Sequence, residues 1–118
     1  MSASNYEREY KELLEGQGAF VIRSAGSKAV DLVAYFPESD TLHYIEVKAV
    51  GEESFRVTRS EKLKEQWLEM KRLVKALPGA EVYYALRRKG IRGSGAWTTV
   101  ETKILRKPYH WGKGVGKS

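Results

Sequence analysis

Two stretches of the sequence decide the fold: VIRSAGSKAVDLVAYF at residues 21–36 and YIEVKAV at residues 44–50. The first is an apolar run, a small polar loop and a second apolar run, which predicts strand, loop and strand. Asp31 stands at the start of its second apolar run, and Glu46 and Lys48 interrupt the apolar residues of the other stretch. Because charged groups are costly to bury, their presence in core-forming strands indicates a purpose beyond packing.

The three charged residues are predicted to converge. Side chains alternate across a strand, so Glu46 and Lys48 share a face and lie about 6–7 Å apart. If the two strands pair as a hairpin, Asp31 lies near the end of the strand that carries Lys48. Carboxylate oxygens suit Mg²⁺, which polarises phosphate and activates water, and a lysine beside it can orient that water or bind phosphate. The pattern predicts a phosphodiester-cleaving site, and the alternative is a solvated strand face with a surface ion pair.

Composition limits the class of protein. The chain has 118 residues, 42% of them hydrophobic, which predicts one globular domain. A net charge of +6 and a pI near 9.5 favour a polyanionic partner, either nucleic acid or an anionic membrane surface. The absence of cysteine excludes disulfides and cysteine-ligated zinc and is expected of a cytoplasmic protein. No apolar run approaches the roughly 20 residues that a membrane span needs. Of the two anionic partners we expect nucleic acid and no membrane.

Hydrophobic periodicity predicts one α/β or α+β domain with a mixed central β-sheet and at least one helix packed on it. A first helix is predicted over 5–15, where Ser4 and Glu7 have the spacing of a capping box. A second helix begins after Thr58, which has the same spacing from Glu61, and ends at Pro78. Strands are predicted over 19–22, 31–36, 41–50, 81–86 and 97–104. We expect residues 1–105 to form the domain and residues 106–118 a basic, flexible tail.

These motifs resemble those of the archaeal-type Holliday junction resolvases, within the PD-(D/E)xK nuclease superfamily. The resemblance rests on ERE at 7–9, RSAGSKAVDLVA at 23–34 and IEVK at 45–48, in the order and near the spacing of the family. It covers the first half of the chain. It implies a restriction-endonuclease-like fold and a Mg²⁺-dependent endonuclease, with Mn²⁺ as a substitute. Such an enzyme resolves four-way DNA junctions as a homodimer, by paired phosphodiester hydrolysis.

The resemblance also implies roles for individual residues. The catalytic set would be Glu7, Asp31, Glu46 and Lys48. The metal would be held by Glu7, Asp31, Glu46 and the backbone carbonyl of Val47. Contacts to the DNA backbone would come from Arg8, Arg23, Ser24, Gly26, Ser27 and Lys28. The small residues of this loop would let the main chain approach phosphate closely.

Several of the residues named above also have a purely structural interpretation. Glu7 fits a capping box, Arg8 an ordinary helix charge, and residues 24–28 a plain turn. Trp67, Leu68 and Met70 give the second helix an apolar excess that predicts a two-fold dimer interface, whereas packing on the chain's own sheet is the alternative. The basic segment 87–92 is either solvated or in contact with phosphate.

Two other functions stay open. One is a related nuclease that acts on other branched or duplex DNA. The other is a non-catalytic nucleic-acid-binding module with the same fold. The sequence does not distinguish a virus-encoded from an archaeon-encoded protein.

Overall fold

A five-stranded mixed sheet forms the centre of the computed structural model, which describes residues 3–24 and 30–110. The elements follow the order α1 (Ala3–Gly16), β1 (Phe20–Arg23), β2 (Leu32–Phe36), β3 (Thr41–Val50), β4 (Ser54–Phe55), α2 (Glu61–Ala76), β5 (Glu81–Arg88), β6 (Trp97–Glu101) and β7 (Tyr109–His110). Three 3-10 turns lie between them, at Val57–Arg59, Ser94–Ala96 and Thr102–Arg106. None of the helices in the described part of the chain is long and apolar enough to cross a membrane.

Strand β3 lies in the middle of the sheet, whose order is β1-β2-β3-β5-β6. Strands β1, β2 and β3 form an antiparallel meander, in which β2 and β3 pair as the hairpin considered from the sequence. Helix α2 then carries the chain across the sheet, so that β5 pairs with β3 in parallel, and β6 returns antiparallel to β5. The mixed α/β architecture predicted from the sequence is therefore confirmed.

Both faces of the sheet are covered, which explains why β3 is buried over much of its length. Helix α1 packs on one face through Tyr10 and Leu14, against a cluster that includes Ile45 and Val47. Helix α2 packs on the other face through Met70 and its apolar neighbours. Alternation therefore directs Glu46 and Lys48 toward the face that carries α2.

The helix starts differ from the prediction. Helix α1 begins at Ala3, so Ser4 lies within the helix and not at its N-cap. Helix α2 is capped by Ser60, whose hydroxyl oxygen accepts a hydrogen bond from the Leu63 amide at 3.1 Å. Thr58 instead belongs to the 3-10 turn that precedes the helix.

The last part of the described chain is tied to the domain. Strand β6 ends at Glu101, and a 3-10 turn takes the place of the predicted continuation of the strand to residue 104. Strand β7, within the predicted tail, pairs with β4 in a separate two-stranded sheet. Residues 111–118 of that tail lie outside the described residues.

Candidate active site

A cavity of about 340 Å³ brings all four predicted catalytic residues together. Its wall comes from helix α1, the residue before β2, the second half of β3 and the residue after β5. Its lining consists of Tyr6, Glu7, Asp31, Glu46, Val47, Lys48, Ala49 and Lys89. The hairpin pairing assumed from the sequence is thus the arrangement that the structure has.

Asp31 is held against β3 by two hydrogen bonds to main-chain atoms of that strand, one from its amide and one to its carboxylate. Its amide donates to the carbonyl of Ile45, and its carboxylate Oδ2 accepts from the amide of Val47, each at 3.0 Å. Its own carbonyl accepts from the amide of Ser24 at 2.8 Å, which ties the end of β1 to the same point. The carboxylate is therefore oriented by backbone that the sheet already fixes.

Glu46 is the buried acid of the site, with only 2% of its surface exposed. Its Oε2 lies 3.1 Å from Lys48 Nζ and accepts a hydrogen bond from Gln66 Nε2 at 2.6 Å. Its Oε1 is buried and has no hydrogen-bond partner among the described residues. One oxygen of this carboxylate is thus committed to protein donors and the other is not.

The surroundings of Glu46 oppose its ionisation. The pKa of the Glu46 carboxyl is raised to about 8, chiefly by burial and also by the charge of Asp31, while Lys48 acts in the opposite direction. A divalent cation held at this site would favour the ionised form of Glu46, since an opposite charge nearby lowers a carboxyl pKa. Two carboxylates, one with an unpartnered buried oxygen, are a donor set that fits a hard cation such as Mg²⁺.

Glu7 lines the cavity but is bonded to an arginine. Its Oε1 accepts a hydrogen bond from Nη2 of Arg23 at 2.9 Å. In the part of the chain that the structure describes, no group of three His, Asp or Glu side chains is spaced to hold a metal ion. Asp31 and Glu46 interact with each other, whereas Glu7 lines the same cavity without completing a set of three ligands with them.

The predicted DNA contacts fall into three groups. Arg8 is exposed outside the cavity, and its Nη2 donates to Asn5 Oδ1 at 3.2 Å. Arg23 and Ser24 lie beside the site through the contacts to Glu7 and Asp31 given above. Gly26, Ser27 and Lys28 lie outside the described residues.

Two residues near the site, Tyr6 and Gln66, were not predicted from the sequence. Tyr6 is an apolar-stripe residue of α1, and no motif singled it out as a cavity residue. Gln66 lies on α2, and its contact with Glu46 had no recognisable sequence signal beyond a polar residue among apolar ones. Lys89, by contrast, belongs to the basic segment already suspected of contacting phosphate.

The three residues predicted for a dimer interface have different surroundings. Met70 is 0% exposed and lies in the core beneath α2. Trp67 is partly buried against the same core, and its Nε1 donates to the carbonyl of Thr102 at 2.8 Å. Leu68, at 45% exposure, has the most surface of the three available to a second subunit.

Comparison with known families decides where the chain belongs. A sequence model of the family described as archaeal Holliday junction resolvase (Hjc) matches residues 2–108, which is nearly all of the chain. The chain belongs to this resolvase family. The match extends well beyond the first half of the sequence, to which the motifs alone had pointed.

Two relatives in the resolvase family illustrate the likeness. Crossover junction endodeoxyribonuclease Hjc of Methanocaldococcus jannaschii is 68% identical over 31 residues. That stretch is 26% of this chain and only 23% of the relative's length. A solved structure of Archaeoglobus fulgidus Hjc, a Holliday junction resolvase from an archaeal hyperthermophile, superposes with a TM-score of 0.70 at 22% identity. It covers 92% of this chain and 88% of the other, so the resolvase fold extends over almost the whole domain.

Proposed function

We propose that this protein is a divalent-metal-dependent endonuclease that resolves four-way DNA junctions by paired hydrolysis of phosphodiester bonds. One observation carries the proposal: Asp31, Glu46 and Lys48 converge in a single cavity of a chain that belongs to the resolvase family. A module that only binds nucleic acid has no need of acids in a site that faces phosphate, because they repel it.

The acids hold the cation in this proposal. Asp31, Glu46 and the carbonyl of Val47 are the ligands, with Glu7 as a further carboxylate, and the metal is Mg²⁺ with Mn²⁺ as a substitute. When bound, such a cation polarises a phosphate oxygen and lowers the pKa of bound water. Asp31 contributes a carboxylate that the β3 backbone has already oriented. Glu46 contributes the oxygen that no described group occupies.

Lys48 acts on the water or the phosphate and not on the metal. Its ammonium has three donors and no acceptor, so it cannot be a metal ligand while charged. It lies 3.1 Å from Glu46 Oε2, and its side chain is 29% exposed, which leaves it within reach of a substrate in the cavity. There it orients the attacking water or stabilises the charge that develops on the phosphate.

Cationic side chains around the acids supply the affinity for DNA. Arg8 is exposed on α1, and Lys89 is exposed and lines the cavity. The side chain of Arg23 is 43% exposed beside Glu7. We propose that these residues, the loop at 24–28 and the lysines of the tail at 111–118 contact backbone phosphates. Such contacts carry little base specificity, and their strength falls with salt. The substrate class also implies that the protein works inside the cell, in the cytoplasm.

We further propose that the enzyme is a homodimer joined through the sheet, because a junction offers two symmetry-related backbones to a two-fold enzyme. Support comes from an apolar surface on the face that α2 leaves partly open. Phe20 and Ile22 of β1 are each 69% exposed, and Leu42 of β3 is 41% exposed. In register, Tyr35 lies between Phe20 and Leu42, so these side chains share one face.

The decisive experiment compares a synthetic four-way junction with a linear duplex of matched sequence, with and without Mg²⁺. We expect metal-dependent cuts at symmetric positions that convert the junction into two nicked duplexes, and no comparable cutting of the duplex. Equal cutting of both substrates would instead support a related nuclease of different specificity. Binding without cutting, under all metal conditions, would support a non-catalytic module.

A further inference from the structure

Gln66 is a polar residue on the buried side of α2. Its neighbours on that side, Leu63, Trp67, Met70 and Leu73, pack against the apolar core. Gln66 itself is partly buried among them. A polar amide in such surroundings costs free energy unless it is hydrogen-bonded, and an apolar residue would pack there without that requirement. The helix therefore carries an amide where packing alone would favour a hydrocarbon.

The amide reaches across to the active site. Gln66 Nε2 donates a hydrogen bond to Glu46 Oε2 at 2.6 Å. Lys48 Nζ lies 3.1 Å from the same oxygen, so Oε2 receives two protein donors. Glu46 Oε1 receives none from the described residues. Gln66 thus contributes to an asymmetry between the two oxygens of one carboxylate.

We propose that Gln66 is a positioning residue that prepares Glu46 for the metal. By holding Oε2 it fixes the rotation of the carboxylate and leaves Oε1 as the oxygen that binds the cation. The inference rests on the proposed function, because it requires Glu46 to be a metal ligand. An amide suits this role, since it donates a hydrogen bond without adding a positive charge that would compete with the cation.

Metal affinity measured without DNA separates this role from a merely structural one. In Gln66→Met the side chain keeps its length and loses its donor, and in Leu63→Met a neighbour on the same helix face changes without touching Glu46. Titration calorimetry with Mg²⁺ and with Mn²⁺ gives the affinity directly. The rise in melting temperature on adding metal gives it independently of any change in the stability of the metal-free protein.

We expect Gln66→Met to bind metal about 10–100-fold more weakly, the usual cost of losing a hydrogen bond to a metal ligand. Leu63→Met is expected to bind metal as the unsubstituted protein does. Gln66→Asn, whose amide is one methylene too short to reach Oε2, is expected to show the same loss and serves if the methionine variant does not fold.

Each outcome bears on a different claim. Metal affinity in Gln66→Met or Gln66→Asn equal to that of the unsubstituted protein would overturn the inference and leave the proposed function intact. A similar loss in Leu63→Met would also overturn it, because general disturbance of α2 would then explain the effect. An unsubstituted protein that binds neither metal would overturn the proposed metal site and the inference together.

Discussion

At the scale of single residues, the site owes its character to two carboxylates in unlike environments. Asp31 is oriented by the Val47 amide at the rim of the cavity. Glu46 is almost wholly buried beside it, with a raised pKa. Neither environment suits a pair of anions without a neutralising charge, and Lys48 supplies only one positive charge between them.

Neutralising either acid is therefore expected to abolish cleavage without abolishing DNA binding. In Asp31→Asn and Glu46→Gln the shape of the side chain is kept and the anionic ligand is lost. Junction affinity is expected to stay or to increase, since each substitution removes a charge that repels phosphate. Cleavage assays and gel shifts on the same junction measure the two properties separately.

Glu38→Gln provides the matched control for these variants. Glu38 is exposed in the turn between β2 and β3 and does not line the cavity, so its substitution is expected to change neither property. Cleavage at the unsubstituted rate by both acid variants would remove Asp31 and Glu46 from the mechanism.

Lys48→Ala is expected to cut roughly 10²–10³-fold more slowly while retaining its affinity for Mg²⁺, because the lysine acts on water or phosphate. Single-turnover cleavage at saturating metal measures the first effect, and calorimetry measures the second. Loss of metal binding in a folded Lys48→Ala protein would show that the lysine acts by organising Glu46.

At the scale of elements, one glutamate fastens α1 to the far strands of the sheet. Glu9 Oε1 accepts hydrogen bonds from Arg87 Nε at 2.9 Å and from Trp97 Nε1 at 2.8 Å. The ring of Trp97 also packs on Tyr10, with 4.6 Å between the centroids. Because α1 carries Glu7 to the cavity, this attachment sets where that acid lies.

Glu9→Ala is expected to lower the free energy of unfolding by about 1–3 kcal/mol for each partly buried donor that it leaves without a partner. Glu12→Ala, on an exposed position of the same helix, is the control for lost helix charge. Urea unfolding followed by circular dichroism compares the two. Equal destabilisation by both substitutions would mean that Glu9 contributes only as an ordinary helix residue.

Elements with a local signal were predicted well, and elements without one were not. The bounds of β3 agree with the prediction because its apolar run lies between a polar turn and a glycine. The cap of α2 was assigned to Thr58 because Thr58 and Ser60 are both good N-cap residues, and only the 3-10 turn before Ser60 distinguishes them. Strands β4 and β7 were missed because two-residue strands have no periodicity and pair across a long sequence separation.

The site was predictable to a similar extent. The acids and Lys48 interrupt apolar runs, so the sequence marks them. Gln66 lies on a helix face whose period already explained its neighbours, and a single uncharged residue gives no sign of what it touches. The arginine that bonds Glu7 was known as a motif residue, but its pairing depends on the end of β1 and α1 meeting in space.

At the scale of the whole molecule, the two most exposed large apolar side chains, Phe20 and Ile22, lie with Leu42 on the open face of β1 and β3. Phe20 and Leu42 flank Tyr35 there, and a cavity of about 410 Å³ lies between Leu42 and the end of α2 at Leu77. Leu68 faces away from the core on the other side of that helix. The sheet face and the Leu68 side of α2 are therefore both candidate surfaces for a second copy.

Sedimentation is expected to give a mass twice that of the 13.4 kDa chain. A charged substitution in the dimer interface is expected to return the measured mass to that of one chain. The double substitution Phe20→Glu with Leu42→Glu tests the sheet face, since buried carboxylates there would oppose association. Leu68→Glu tests the helix predicted from the sequence. We expect only the first protein to be monomeric.

Junction cleavage by the same proteins completes this test. A monomer is expected to nick one strand at a time, whereas a dimer cuts the paired strands together. Monomeric behaviour of Leu68→Glu alone would move the interface to α2. An unsubstituted monomer that still cuts both strands in concert would contradict the dimer itself.

The central position of β3 in the sheet has a consequence for folding during synthesis. The proposed catalytic residues all precede α2, whereas the Gln66 side chain and strand β5, which close around Glu46, follow in the chain. During synthesis, the proposed catalytic residues therefore leave the ribosome before Gln66 and β5 do. Nascent chains stalled before residue 61 are therefore expected to bind no divalent metal, so cutting of nearby nucleic acid is delayed until β5 has been synthesised and has paired.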